Sequence, residues 1–133
     1  MKQYMLDTDI CSYIIKERPE SVRRNFQTLS MDSICISIVT YAELMYGVER
    51  SSSRRINRSV IEQFVSHLEV RKWDKRAADN YAVIRTALEA AGSPIGAMDM
   101  MIASHAASSN AVLVTNNQKH FYQVSDLNVE NWV

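Results

Sequence analysis

The chain has 133 residues, of which 47% are hydrophobic, while only 3 are glycine and 2 are proline. This composition excludes disordered, collagen-like and low-complexity proteins, and the length predicts a single domain over residues 1–133. Because 15 Lys and Arg residues balance 15 Asp and Glu residues, a nucleic-acid partner would have to be held by local patches rather than by an overall field.

The cysteines and the N-terminus indicate the compartment. Cys11 and Cys35 lie in separate apolar segments without the close spacing of zinc or redox sites, so we expect two buried free thiols. The N-terminus carries acidic residues where a signal peptide needs an apolar segment, and no run approaches the roughly 20 apolar residues of a membrane span. We therefore expect a cytoplasmic protein that does not enter a membrane.

The first apolar run, Tyr4 to Leu6, predicts a buried strand that ends at two aspartates, Asp7 and Asp9. Apolar residues at helical spacing follow, and either aspartate is a suitable N-cap for that helix. Pro19 then begins a second, amphipathic helix with a basic outer face.

A second buried strand is predicted over residues 33–37, which form a short, apolar and β-branched segment. The segment that follows has the spacing of a helix, with Tyr41, Leu44 and Val48 on its apolar side. Glu43 lies outside that apolar stripe, on a neighbouring face of the same helix.

The middle of the chain predicts two further helices, separated by a short edge strand at residues 70–72. The first helix would bury an apolar stripe and expose three arginines: Ile56, Val60, Phe64, Val65 and Leu68 inside, and Arg54, Arg55 and Arg58 outside. Asp74 would cap the second, longer helix, which ends near Gly92 and Pro94. We expect these two helices to form a hairpin packed on the sheet.

Another helix is predicted over residues 94–106, with Asp99 in its first turn among methionines and small residues. An unpaired charge is expensive in such an apolar neighbourhood. Residues 111–114 predict a further buried strand, and the turn 115–117 follows that strand as Asp7 follows the first. A short strand or edge segment closes the chain.

The alternation of strands and helices predicts an α/β fold, a mostly parallel sheet of about five strands with helices on both faces. Right-handed crossovers place all strand carboxyl ends on one side, so Asp7, the start of the Glu43 helix and the turn 115–117 should converge there. Carboxylates brought together need a cation or must take up protons, and hard oxygen donors favour Mg²⁺ or Mn²⁺, which assist phosphodiester hydrolysis. Spacing alone leaves another interpretation open, in which Asp7 and Asp99 are only helix caps and Glu43 is only solvated.

Four segments carry a family resemblance, in this order and at these separations: MLDTDIC, TYAELMYG, PIGAMDMMIASHA and VTNNQKHF. Together they closely resemble the PIN-domain ribonucleases, specifically the VapC toxins of bacterial VapBC toxin–antitoxin pairs. The resemblance runs from Tyr4 to Trp132 and therefore implies one PIN-like fold over essentially the whole chain.

The resemblance assigns roles to particular residues. Asp7, Glu43 and Asp99 match the three core acidic residues of the family, which hold Mg²⁺, with Mn²⁺ as a substitute. Thr115 and Asn117 match the fourth motif, which completes the set of candidate catalytic residues.

Two positions depart from the family pattern. Many relatives carry an aspartate where this chain has Asn117, so a second firmly held metal is in doubt. Relatives usually carry Asn or Ser where this chain has Asp9. One carboxylate is thus lost at Asn117 and one is gained at Asp9. We interpret Asp9 either as compensation, which supplies outer charge or a ligand through water, or as a helix cap only.

The resemblance also implies a function and partners. Relatives are endoribonucleases that cut structured RNA, and tRNA is the expected substrate class here, with the initiator tRNA anticodon loop as the best candidate. A VapB-type antitoxin would cover the acidic site, within a homodimeric toxin–antitoxin complex on operator DNA. Arg54, Arg55 and Arg58 are candidate RNA contacts or simply a solvated helix face, and His105 is a packing or surface histidine rather than a metal ligand.

Two alternatives stay open from the sequence. One is an RNA-processing or structure-specific nuclease on the same fold that acts without an antitoxin. The other is a non-catalytic PIN module that binds RNA or protein, which the neutral Asn117 keeps in play.

Overall fold

Five strands and six α-helices alternate along the chain in the computed structural model, which describes residues 2–93, 95–122, 124 and 126–133. In chain order they are β1 (Tyr4–Leu6), α1 (Thr8–Lys16), α2 (Glu20–Gln27), β2 (Ile34–Ser37), α3 (Ile38–Arg50), α4 (Arg54–Val65), β3 (Glu69–Arg71), α5 (Lys75–Ala90), α6 (Ala97–Ser108), β4 (Val112–Val114) and β5 (Val129–Glu130). Short 3₁₀ turns lie at Met31–Ser33 and Gln118–His120. The predicted boundary residue Pro94 lies outside the described residues.

All five strands form one parallel sheet in the order β3-β2-β1-β4-β5. Tyr4 pairs with Ile34 on one side and with Val112 on the other, so β1 is the central strand. The predicted α/β fold with about five strands is confirmed. Since the strands are parallel, their carboxyl ends lie on one side, where ligands bind in open α/β sheets.

Alternate strand residues enter two separate cores, one on each face of the sheet. Met5, Cys35 and Leu113 pack with α5 and α6. Leu6 and Val114, one residue further along their strands, pack with α1, α2, α3 and α4. Helices on both faces explain why these strands are continuously apolar rather than alternating.

The two cysteines are buried free thiols, as predicted. Burial raises the pKa of Cys35 to about 11 and raises the pKa of Cys11 well above its ordinary range. Both are therefore protonated and unreactive at neutral pH. No helix in the described part of the chain is long and apolar enough to cross a membrane.

The predicted packing of α4 is wrong in two respects. Ile61 is the buried residue of α4, whereas Ile56 is 68% exposed and Val60 is 41% exposed. The helix also packs against α3, and α5 packs against α6, so α4 and α5 do not form a hairpin. The reason is that β3 lies between them and the chain crosses from one face of the sheet to the other.

Candidate active site

Asp7 lies at the carboxyl end of the central strand, directly before α1. Its backbone N–H donates to the carbonyl of Val114 on β4 at 3.0 Å, and its carboxylate accepts from the backbone N–H of Ile10 at 2.9 Å. Asp7 is therefore the N-cap of α1, one of the two caps that the sequence allowed. Only 7% of its surface is exposed, so it holds a charge in a largely dry position.

The surroundings of Asp7 work against ionisation. Burial is the main cause that raises the pKa of Asp7 to about 6, and the neighbouring charges of Asp9 and Asp99 raise it further. The hydroxyl of Thr115 and the Ile10 N–H oppose this rise, because they stabilise the charged form.

Asp99 lies in the first turn of α6, whose N-cap residue, Gly96, has no side chain to cap the helix. Burial raises the pKa of Asp99, and the charges of Glu43 and Asp9 raise it further, whereas His120 opposes them. Asp99 is therefore near Glu43 and Asp9, and the predicted convergence of carboxylates at this edge is present in the fold.

Glu43 reaches the site from the second turn of α3 and has a partner that the sequence did not indicate. The hydroxyl of Thr8 donates a short hydrogen bond to its carboxylate. Thr8 is the first residue of α1, so one turn of chain carries both the Asp7 carboxylate and a donor for Glu43. The sequence signal for this contact is the threonine, Thr8, that directly follows the aspartate at the end of the first strand.

Thr115 and Asn117 follow β4 at the same edge of the sheet. Thr115 is fully buried, and its backbone N–H donates to the carbonyl of Glu130 on β5 at 2.9 Å. Its hydroxyl accepts from the Asn117 N–H at 3.0 Å and lies beside Asp7. Thr115 therefore holds the turn and contacts a core carboxylate.

Asp9 and His120 complete the surroundings of the acidic edge. Asp9 is exposed in the first turn of α1, and its charge raises the pKa of both Asp7 and Asp99. Its carboxylate is thus near enough to act on both groups, and Asp7 rather than Asp9 caps the helix. His120, in the exposed turn after Asn117, is a second residue that sequence reasoning missed.

The donor set fits a hard divalent cation. Asp7, Glu43 and Asp99 offer oxygen atoms only, and their mutual repulsion is the kind that a bound Mg²⁺ or Mn²⁺ relieves. Among the described residues, no three His, Cys, Asp or Glu side chains already lie within one coordination shell. Side-chain rotation would therefore have to bring the carboxylates onto one ion.

Comparison with known proteins decides the family. A PIN domain family model matches residues 4–127. The chain belongs to the PIN-domain family. This PIN domain is 45% identical, over 132 residues, to the tRNA(fMet)-specific endonuclease VapC of Shigella flexneri, which covers 99% of each chain. Such identity over the full length places it among the VapC ribonucleases, as the sequence motifs indicated.

Two solved structures share the fold in full. DNA-bound VapBC from Salmonella typhimurium superposes with a TM-score of 0.93 at 41% identity over 100% of both chains. VapBC2 from Rickettsia felis, bound to a DNA fragment from the promoter, superposes with a TM-score of 0.91 at 42% identity over 98% of both chains. These similarities confirm the fold of this PIN domain.

A groove of about 490 Å³ leads away from the acidic site of this PIN domain, between α1, α3 and α4. Thr8 and Glu43 line its end at the site. The rest is lined by apolar residues, such as Leu44 and Val60, together with the polar Ser12, Lys16 and Asn57. The outward position of Val60, which the helical pattern did not predict, belongs to this groove. The groove therefore joins an acidic end to a mostly apolar channel that also holds the positive charge of Lys16.

The three predicted RNA-contact arginines lie at the start of α4, and two of them already contact acidic partners. Arg54 donates to the Glu49 carbonyl at 3.1 Å and lies 3.9 Å from the Glu49 carboxylate. Arg58 lies 3.8 Å from the Glu62 carboxylate. The contact of Arg54, Arg55 and Arg58 with RNA stays a prediction.

The Thr8 hydroxyl should matter for the rate of RNA cleavage. We expect Thr8→Val to lower kcat/KM about tenfold, because partners that orient ligating carboxylates typically contribute 10–100-fold. Thr8→Ser keeps the hydroxyl and should stay near the wild-type rate. Steady-state kinetics with unfolding curves check this, and equal rates for the two variants would contradict a role for the hydroxyl.

Proposed function

We propose that this protein is the toxin of a VapBC pair, a divalent-metal-dependent endoribonuclease that cuts tRNA. The observation that carries this proposal is the group of acidic residues at the carboxyl edge of the sheet, where burial and neighbouring negative charges raise the pKa of both Asp7 and Asp99. Buried carboxylates whose pKa values are raised by one another's charge are typical of functional sites, and a bound cation would relieve their repulsion.

Mg²⁺ is the proposed cofactor, with Mn²⁺ as a substitute, and Asp7, Glu43 and Asp99 are the proposed ligands. The ion would supply phosphate orientation, water activation and charge stabilisation at the leaving oxygen. Asn117, being neutral, offers the site an amide in place of a fourth core carboxylate. Asp9 faces the same space and adds negative charge from outside.

The residues of the chain have distinct tasks in this proposal. Asp7 is held by the Ile10 N–H and so presents its second oxygen to the site. Thr8 fixes one oxygen of Glu43 and leaves the other available. Thr115 holds the turn that carries Asn117 beside Asp7. The site is thus oriented by hydrogen bonds from two segments, the first turn of α1 and the turn after β4, before any RNA arrives.

The proposed substrate is initiator tRNA, cut in the anticodon loop. Support comes from the relatives in Shigella flexneri and Salmonella typhimurium, both named tRNA(fMet)-specific endonuclease VapC, at 45% and 42% identity. An exposed loop suits an acidic site at a sheet edge, since unstacked bases and their phosphates can reach it.

The proposed partner is a VapB-type antitoxin, in a homodimeric toxin complex that binds operator DNA. The similar structures from Rickettsia felis and Salmonella typhimurium are VapBC complexes with DNA, which supports this assembly. We propose that the antitoxin segment lies in the groove between α1, α3 and α4 and brings a basic side chain to Glu43. Two reduced, buried cysteines agree with a cytoplasmic location.

Cleavage of purified tRNA tests the proposed function. Initiator tRNA and elongator methionine tRNA, incubated separately with the protein and Mg²⁺, should differ by at least tenfold in rate, with a single cut mapped to the anticodon loop. Equal cutting of both tRNAs would contradict the substrate assignment. A folded protein that cuts no RNA at any Mg²⁺ or Mn²⁺ concentration would favour the non-catalytic module instead.

A further inference from the structure

His105, on the buried side of α6, contacts the helix that carries Glu43. Only 3% of its surface is exposed, and its Nδ1 atom lies 2.8 Å from the hydroxyl oxygen of Ser37. Ser37 is the last residue of β2 and the N-cap of α3, since its hydroxyl oxygen accepts from the Val39 N–H at 3.1 Å. One hydrogen bond therefore joins α6 to the first turn of α3.

The surroundings of His105 assign its protonation state. Burial is the main cause that lowers the pKa of His105. The charge of Asp74 raises this pKa, and the charge of Arg71 lowers it. The ring is therefore neutral at pH 7, with one N–H. The Lys72 backbone lies beside the ring and opposes the lowering of the pKa. We assign the N–H to Nε2, which leaves Nδ1 to accept from the Ser37 hydroxyl.

The same two helices meet a second time at the acidic site. Glu43 is the largest charge contribution to the raised pKa of Asp99. Glu43 lies six residues after Ser37 on α3, and Asp99 lies six residues before His105 on α6. This is the pattern of helices that run alongside each other in opposite directions, and six residues correspond to about 9 Å of helix.

The hydrogen bond between Ser37 and His105 is the polar tie between the helices at this end. Thr40, one turn along α3 from Ser37 and one turn before Glu43, is fully buried, and its hydroxyl has no partner among the described residues. The Thr40 hydroxyl therefore makes no hydrogen bond that would select one register. A slide of one helix along the other would break the hydrogen bond between Ser37 and His105.

We propose that His105 is a positioning residue for RNA cleavage, because its hydrogen bond to Ser37 sets the register of α6 against α3 and thereby the separation of Glu43 from Asp99. This inference rests on the proposed function of those carboxylates. A displacement of about 1 Å at reacting groups can cost about 100-fold in rate. The hydrogen bond between Ser37 and His105 lies about 9 Å along the helices from Glu43 and Asp99, so its loss can displace these carboxylates far enough to slow cleavage.

Two substitutions of His105 distinguish the effect of losing the hydrogen bond from the effect of changing the size of the side chain. His105→Asn places an amide oxygen near the position of Nδ1 and can still accept from Ser37. His105→Gln places its amide near Nε2 and leaves Ser37 without a partner. Ser104→Ala is the control, because Ser104 is equally buried on α6 but its hydroxyl bonds only to the carbonyl of Met100 in the same helix.

Three measurements are compared across these variants: kcat and KM for RNA cleavage, Mn²⁺ affinity by electron paramagnetic resonance, and the thermal unfolding midpoint. We expect His105→Gln to lower kcat 10–100-fold and Mn²⁺ affinity about tenfold with KM nearly unchanged. His105→Asn and Ser104→Ala should stay within about threefold of wild type in kcat and Mn²⁺ affinity. This should hold even if their thermal unfolding midpoints fall as far as that of His105→Gln. Equal kcat values for the Asn and Gln variants, or losses that simply follow the unfolding midpoint, would overturn the proposal.

A second pair of variants covers the case in which the His105 variants do not fold. Ser37→Thr keeps the hydroxyl that faces the ring, whereas Ser37→Ala removes it, so only Ser37→Ala should lose kcat and Mn²⁺ affinity. If both lose them alike, the hydrogen bond does not set the register. The backbone at Ser37 keeps its strand pairing with Arg71 in both variants.

Failure of the proposed function would look different from failure of this inference. A wild-type protein that cuts no RNA still allows the Mn²⁺ comparison, and one that binds no Mn²⁺ still allows the kcat comparison. ¹⁵N NMR of His105 in the metal-free protein needs neither activity. A ring protonated on Nδ1 at pH 7 would contradict the assigned hydrogen bond and with it the positioning role.

Discussion

Asp7→Asn should abolish RNA cleavage, by at least 1,000-fold, while making the metal-free fold more stable. The loss of activity follows because asparagine cannot carry the charge that holds a divalent ion, and loss of charge stabilisation at a reacting centre typically costs several kcal/mol. Chelation of divalent ions should stop cleavage by the wild-type protein in the same way. Asparagine is as good an N-cap as aspartate, so α1 keeps its bond from the Ile10 N–H.

The gain in stability follows from the pKa of Asp7. Its value of about 6 in the folded protein lies above the ordinary value of 3.8, so between these pH values the folded state binds more protons than the unfolded state. Stability therefore falls as pH rises through this window, and above it the charged carboxylate costs about 3 kcal/mol. Asp7→Asn removes that cost, and we expect a gain of about 1–3 kcal/mol at pH 7.5 that vanishes below pH 4.

Urea unfolding at pH 7.5 and at pH 4 measures this gain in the presence of a chelator. Asp74→Asn is the matched control, because Asp74 caps α5 by accepting from the Ala77 N–H at 3.1 Å and lies outside the acidic edge. Asp74→Asn should cleave RNA within about twofold of wild type. A less stable Asp7→Asn protein at pH 7.5 would show that Asp7 serves the fold rather than the site.

The positions of the acidic residues could be predicted because they follow from topology. A parallel sheet puts every strand end on one side, so an aspartate after β1 and a turn after β4 must be neighbours. The four motifs supplied Glu43 and Asp99, which lie on helices. Helical residues are harder to place, since the rotation of a helix against the sheet depends on its packing partners.

The parts that the sequence did not reveal depend on contacts between distant segments. Ile56 and Val60 share a helical spacing that is as regular as that of Ile61 and Val65, and only the packing of α4 on α3 selects the second set. Thr8 and His105 likewise gain their roles from residues 35 and 68 positions away. Local patterns carry no information about such pairings.

Cleavage at a divalent-ion concentration below saturation should fall 10–100-fold as the pH falls from 7 to 5. With a pKa of about 6, the ionised fraction of Asp7 drops from about nine-tenths at pH 7 to about one-tenth at pH 5. Asp99 also has a raised pKa, which adds a second proton and steepens the fall. Metal ions compete with these protons for the carboxylates. More Mg²⁺ should therefore move the falling limb, the pH range in which the cleavage rate drops on acidification, to lower pH. Profiles of rate against pH at several Mg²⁺ concentrations measure this shift. A flat profile between pH 5 and 7 would mean that neither carboxylate has to be ionised for cleavage.

Asp9→Asn decides what the extra carboxylate of this chain does. If Asp9 only adds charge, its removal lowers the pKa of both Asp7 and Asp99, because its like charge raises them in the wild type. The falling limb should then move to lower pH while kcat at pH 8 stays within about twofold of wild type. If Asp9 replaces the carboxylate that relatives carry at Asn117, Asp9→Asn should instead weaken Mn²⁺ binding at every pH, and Asn117→Asp should restore it. The fold favours the first outcome, since Asp9 is exposed at the rim of the site whereas Asp7 is buried at its base.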